Sequence, residues 1–303
     1  MTRGQRIRVG NAPCSWGVLE FELGAEPAAA DQVLWEMDSA GFEGTELGDW
    51  GFMPTEPRAL ATLLSKHHLE LVGAFVPVAL ADETAHDAGV EAALRVARLQ
   101  AAVAEDAFIV LADDNGSVPE RVKNAGRILP EHGLSSERWA TFARGTERIA
   151  RAVREQTGLR TVFHHHCAGY VETPAEVAAL LDRTSPELLG LCLDTGHYAF
   201  GGGDPLEAMG RFDERIWHAH FKDFEPTVGR SVAAEGLDYF EAVRAGVFCE
   251  LGRGSVDFAA VTDVLRAWGH AGWIIVEQDV LPGMGAPFES ARRNRGFLRG
   301  LGL

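Results

Sequence analysis

The stretch Leu188-Leu189-Gly190-Leu191-Cys192-Leu193-Asp194-Thr195-Gly196-His197 decides the fold. Six apolar or glycine residues run into a carboxylate and then a Thr-Gly-His turn. A run of that length reads as a strand buried on both faces, the pattern of a parallel sheet. The neighbouring segments repeat it. Thr161-Val162-Phe163 runs into His164-His165-His166, Arg215-Ile216-Trp217 into His218-Ala219-His220-Phe221-Lys222-Asp223, and Trp273-Ile274-Ile275-Val276 into Glu277-Gln278-Asp279. Four successive strands that end in His, Asp or Glu point to one shared site at their C-terminal ends, where a (β/α)8 barrel keeps its chemistry.

Four further apolar runs precede these. They begin at Ile7 and cover Gly44–Gly48, Leu69–Val76 and Ala107–Asp113, with helix-like stretches between them. Eight βα units in 303 residues fit a single closed α/β barrel, a TIM barrel spanning 1–303 as one domain. Thr173 with Pro174 reads as the N-cap and first residue of the fifth helix. About 30 residues separate the seventh strand from the next helix, a long connection of the kind that carries function.

Composition narrows the classes. Hydrophobic residues make up 46% and charged residues 24%, ordinary for a globular chain with a sizeable core. No apolar run approaches the ~18 residues that span a bilayer, so no membrane partner is expected. The N-terminus has basic residues but no apolar core, so no secretory signal is read there. Cys14, Cys167, Cys192 and Cys249 form no C-x-x-C pair and read as free thiols of a cytoplasmic protein. The formal charge of −16 repels phosphate backbones and argues against a nucleic-acid partner. There is no G-x-S-x-G nucleophile elbow, and Gly252-Arg253-Gly254 lacks the strand–turn–helix context of a phosphate loop.

Strand alternation sorts the site candidates. His164 and His166 point one way, into the barrel, and His165 the other, under the helices. His218, His220 and Lys222 share a direction in the same way. Asp194 and Glu277, at the ends of buried strands, need a cation or hydrogen-bond donors. His197 follows Asp194 by three residues and is able to face the same cavity. Glu46 is placed to bind substrate hydroxyls, and Trp16 to form an apolar wall for a ring-shaped substrate. A mixed His, Asp and Glu set suits a transition metal better than Ca²⁺, which prefers oxygen alone. Mn²⁺ or Co²⁺ heads the expectation; Zn²⁺, Fe²⁺ and Mg²⁺ are also compatible.

These motifs resemble those of the xylose-isomerase-like barrel superfamily of sugar isomerases and epimerases, and within it the inosose (2-keto-myo-inositol) dehydratase branch. The resemblance rests on NAPCSWG, GFEGTELG, FHHHCAGYVET, SPELLGLCLDTGH, HAHFKD, GRGSVDF and GWIIVEQD, from the first strand to the eighth. It implies a divalent metal at the barrel mouth held by Asp194, His220 and Glu277, with His164 where the epimerases place a Glu. It also implies that His166, His197 and Lys222 contact substrate or move protons, with Arg253 as a further substrate contact. Loss of one of the two carboxylates that exchange a proton between ring faces fits elimination better than epimerisation. The implied reaction is loss of water from a cyclic polyol ketone, with Glu277 or a histidine as base and His166, His197 or Lys222 as acid. A keto-sugar isomerase or epimerase on the same site is the alternative. An abasic-site nuclease is disfavoured by the charge, and a non-catalytic sugar binder by the intact ligand set. A homodimer or homotetramer is compatible with a barrel of this size.

Overall fold

The computed structural model describes residues 6–18, 28–279, 281 and 284–303. Eight parallel strands close a barrel in chain order: β1 (Arg8–Asn11), β2 (Gly44–Glu46), β3 (Glu70–Val78), β4 (Phe108–Asp113), β5 (Arg160–His164), β6 (Leu189–Asp194), β7 (Ile216–Phe221) and, after the two strands of a small antiparallel ribbon, β8 (Asp223–Phe224) and β9 (Phe248–Cys249), the closing strand β10 (Trp273–Val276). β10 pairs with both β7 and β1, which removes any open sheet edge. All eight strands read from the sequence are in the barrel.

Alternation divides each strand between two cores. Leu189, Leu191 and Leu193 of β6 and Ile274 and Val276 of β10 face outward, into the main core beneath the helices. Phe108, Val110, Val162 and Cys192 close the interior, with Phe75 and Trp217 packed on them. Two register shifts adjust what faces inward. Leu191 pairs with Ile216 but Cys192 pairs with His218, so Trp217 is the extra residue of a bulge. Trp217 fits only because residue 190 is glycine: a Cβ there would lie 2.3 Å from the indole. The second shift, on β3, sets Glu46 opposite Gly73, where a Cβ would stand 3.1 Å from the Glu46 carboxylate. The carboxylate therefore has room to turn into the barrel.

Helices cover the outside. Thr173 and Glu176 form the capping box of the helix Pro174–Leu181, as the sequence indicates for Thr173 and Pro174. The long connection after β7 is not a loop. It holds the helices Pro226–Glu235 and Tyr239–Arg244 as well as the ribbon. Asp238 and Glu241 cap the second helix, which stands over the C-terminal end of the barrel and brings Tyr239 and Phe240 into the cavity wall. No helix among the described residues is long and apolar enough to cross a membrane.

Candidate metal centre and active site

His164, Asp194, His220 and Glu277, from β5, β6, β7 and the residue after β10, each offer one ligand atom, and these atoms lie within 4.8 Å of one another. They sit beneath a cavity, open to solvent on one side, at the C-terminal end of the barrel.

The polar atoms at the centre of this group lack partners that their neighbours have. Both ring nitrogens of His164, Oδ2 of Asp194 and Nδ1 of His220 are buried without a hydrogen bond. Such atoms are rare unless an ion or water completes them. Their outer atoms, by contrast, are held. Asp194 Oδ1 accepts from the His197 amide at 2.8 Å, capping the short helix Thr195–Phe200. The Asp194 amide donates to His165 Nε2 at 3.2 Å. His220 Nε2 lies 2.9 Å from Glu46 Oε1, which leaves Nδ1 directed at Glu277 Oε1, 3.0 Å away. An imidazole fixed on one nitrogen by a carboxylate and free on the other is the common arrangement of a metal ligand. The donor set of two imidazoles and two carboxylates fits a divalent transition metal. Charge agrees. Three buried carboxylates, Asp194, Glu277 and Asp279, surround one ammonium, Lys222, and a fourth, Glu46, meets His218 and His220.

Lys222 adjoins this group. Its Nζ lies 2.9 Å from Asp279 Oδ1, 3.3 Å from Glu277 Oε2 and 3.7 Å from Asp194 Oδ2, and donates to His197 Nε2 at 3.0 Å. Burial works against its charge, but Asp279, Asp194 and Glu277 outweigh that and hold the ammonium well above its usual pKa. Close approach is allowed by Gly196, where a Cβ would meet the Lys222 side chain at 2.6 Å. The Tyr239 hydroxyl donates to Asp279 Oδ2 at 3.2 Å and lies 3.3 Å from His166 Nε2. Hydrogen-bonding distances thus connect Glu277, Lys222, Asp279, Tyr239 and His166 along one side of the cavity.

Burial, then the neighbouring positive groups, lowers His164 and His166 to about 3, so both rings are neutral near pH 7. His165 is lowered to about 3 in the same way. Burial also disfavours a charge on His220, but Cys192, Glu277 and Glu46 raise it well above the usual value. Burial pushes Glu46 up, and the two histidines beside it more than reverse this, to about 2. The depressed histidines fix the sign of the acid response. They bind protons near 6.5 only when the chain unfolds, so their stability is full above that value and is lost as pH falls toward 3. Asp113, raised to about 6 by burial, and Glu172, raised to about 7, work the other way over part of that window. The histidines outnumber them. The urea midpoint of metal-free protein should therefore fall between about pH 6.5 and about pH 4; a flat or rising midpoint would show that these rings are not buried neutral.

The sequence-derived candidates separate into groups. His164, His166, Lys222, Glu277 and Glu46 line the cavity. One oxygen of Glu46, Oε1, lies 3.1 Å from His218 Nε2 and 2.9 Å from His220 Nε2, so it orients both rings. His197 is fully buried and adjoins the cavity through Lys222, whose ammonium donates to it, and through His166, whose ring centroid lies 3.9 Å from its own. Trp16 does not form the wall. Its Nε1 donates to Glu36 at 2.6 Å and its ring packs into the main core. Phe75 and Phe240 supply the aromatic surface instead. Arg253 is not in the cavity either. Its side chain is 69% exposed and pairs with Glu250 at 3.3 Å, because Gly252 and Gly254 turn the backbone, not the side chain, toward Asp223. Asp279 and Tyr239 were not among the candidates. Asp279 stands two residues beyond Glu277, the alternation that already paired His164 with His166. Tyr239 follows Asp238 in an Asp-x-x-Glu capping signature that marks a helix.

Fold and site define a class: the chain belongs to the xylose isomerase-like TIM barrel family, whose model matches residues 36–301. Among individual relatives, it is 30% identical over 293 residues to the inosose dehydratase of Lacticaseibacillus casei, with 96% of each chain covered. Two solved structures superpose over 97% of the chain. One is the probable 3-DHS dehydratase AsbF of Bacillus anthracis (TM-score 0.68, 15% identity, 99% of that chain), and the other is the IOLI protein with a bound zinc atom (TM-score 0.68, 15% identity, 98% of that chain). At that identity they establish likeness of fold.

Proposed function

We propose that this protein is a divalent-metal-dependent dehydratase of a cyclic polyhydroxy ketone of the inosose type. One observation carries the reading. Beside His164, Asp194, His220 and Glu277, an ammonium, a phenol and a neutral imidazole line one side of a single cavity, and the β5 position carries His164 rather than a carboxylate. Elimination needs a base for an α-hydrogen and an acid for a departing hydroxyl on neighbouring carbons, and this grouping supplies both. The name of the 30%-identical relative supports the same reading.

His164, Asp194, His220 and Glu277 would hold the metal, a divalent transition ion such as Mn²⁺ or Co²⁺. When bound, the metal would supply Lewis acidity toward a ketone oxygen and so favour loss of the neighbouring proton. The chain's own groups do the rest. His166 and Glu277, both unprotonated and facing the cavity, are placed to take the α-proton. Lys222 is placed to give a proton to the β-hydroxyl, so that the C–O bond breaks and water leaves. His197 and Asp279 hold the Lys222 ammonium in position from two sides, and Phe75 and Phe240 offer apolar surface to the C–H face of the ring. The enol that remains tautomerises to the dione.

The test is mass spectrometry of 2-keto-myo-inositol after incubation with protein loaded with Mn²⁺ or Co²⁺. A dehydratase gives a product lighter by one water, in a reaction abolished by chelator and restored by metal. A product of unchanged mass but altered configuration would instead establish the epimerase alternative.

A further inference from the structure

Asp49 is the one carboxylate in the described cavity wall with no partner of its own. Glu46 is engaged by His218 and His220, and Glu277 and Asp279 by Lys222. Asp49 lies in the turn after β2 and lines the same cavity. In the closed barrel β2 stands four strands from β6 in either direction, so this turn faces the Asp194 side from across the mouth. The turn is fixed. The Asp49 carbonyl accepts from the Phe52 amide at 3.0 Å, and Gly48 and Gly51 flank the turn with φ of 72° and 97°. The guanidinium of Arg95 stacks on the next residue, Trp50, at 4.6 Å. A carboxylate held half-buried without a donor pays for desolvation with no return until a donor arrives, and burial alone accordingly raises the pKa of Asp49.

We infer that Asp49 is the specificity residue of the cavity, accepting hydrogen bonds from one or two ring hydroxyls remote from the reacting ketone. A carboxylate has acceptors only, and polyol hydroxyls are donors; two adjacent hydroxyls match its two oxygens. The same cavity wall includes Val18, Phe75 and Leu281, which offer C–H contact. Asp49 is separate from the proton-transfer groups, so it selects the substrate without taking part in bond breaking. The inference rests on the polyol reading above and narrows it: the substrate keeps free hydroxyls on the side of the ring opposite the carbonyl.

The experiment compares wild type with Asp49→Ala and Asp49→Asn. With 2-keto-myo-inositol, the KM of Asp49→Ala should rise about 10- to 100-fold, the usual loss for a hydrogen bond to a charged group, with kcat within about threefold. Asp49→Asn, which keeps one acceptor oxygen, should fall between the two. Across a set of monodeoxy-inososes, wild type should discriminate against one or two of them, and Asp49→Ala should lose that discrimination. Binding is read separately, by isothermal titration calorimetry with unreactive myo-inositol. Saturable binding to wild type that weakens at least tenfold in Asp49→Ala supports the inference even if no substrate loses water, in which case only the dehydratase reading fails. A KM and a myo-inositol affinity within twofold of wild type in Asp49→Ala, or no saturable binding of either compound to wild type, overturns it.

Discussion

Glu277→Gln should lower kcat/KM by about 10³-fold, within the range for loss of a positioned acid–base group. Two roles meet in this side chain. One oxygen lies 3.0 Å from His220 Nδ1, on the face where His164, Asp194 and His220 converge, and the other lies 3.3 Å from the Lys222 ammonium. The amide has nearly the same shape, so packing is preserved. It is a poorer ligand and no base, so metal affinity and proton abstraction fall together. Burial raises the Glu277 carboxyl, but His220 and Lys222 more than reverse this and hold it well below the usual carboxylate value, so it is ionised at every pH at which the enzyme would be assayed. The far-ultraviolet circular dichroism and the melting temperature should stay close to wild type. Turnover within threefold of wild type by the mass assay would remove Glu277 from the site.

Lys222→Met should carry the largest stability cost, about 3–5 kcal/mol in metal-free protein. The methionine fills a similar volume but leaves Asp194, Glu277 and Asp279 buried around no cation. The cost belongs to the orphaned carboxylates rather than to the ion pairs themselves, so it should be partly recovered in Lys222→Met/Asp279→Asn, which removes one of them. It should also shrink on adding metal, which binds only the folded chain and offsets the same charges. Activity should fall about 10²-fold or more with the acid gone. Urea unfolding of the single and double variants, with and without metal, separates these contributions. A single variant as stable as wild type without metal would mean that the ammonium is not the counter-charge of this cluster.

Much of this site was legible because a barrel turns a periodicity into a place. The two-residue repeat of a strand sends His164 with His166, and His218 with His220, toward the axis, and parallel order puts every strand's C-terminal end at one mouth. Four strands ending in ligand-type side chains therefore had one place to meet. What escaped depends on partners that spacing does not encode. Trp16 follows β1 as a wall residue would, but Glu36, twenty positions later on the first helix, captures its indole N–H and draws the ring into the core. Glu46 points inward, where the bulge on β3 and the small Gly73 bring its carboxylate to two histidines of β7. Arg253 sits beside the site in sequence, but its flanking glycines hand backbone amides to Asp223 and leave the guanidinium in solvent. The helix that carries Tyr239 is too short to show an apolar period, and only the Asp238 and Glu241 caps announce it.

On this account His164, Asp194, His220 and Glu277 together hold one divalent ion. The direct measurement is metal content by inductively coupled plasma mass spectrometry, on wild type and His164→Ala loaded with Mn²⁺ and dialysed side by side. The predicted result is one ion per chain in wild type and a large deficit in His164→Ala, with both proteins folded by circular dichroism. Wild type that retains no ion, or His164→Ala that retains as much as wild type, would contradict it.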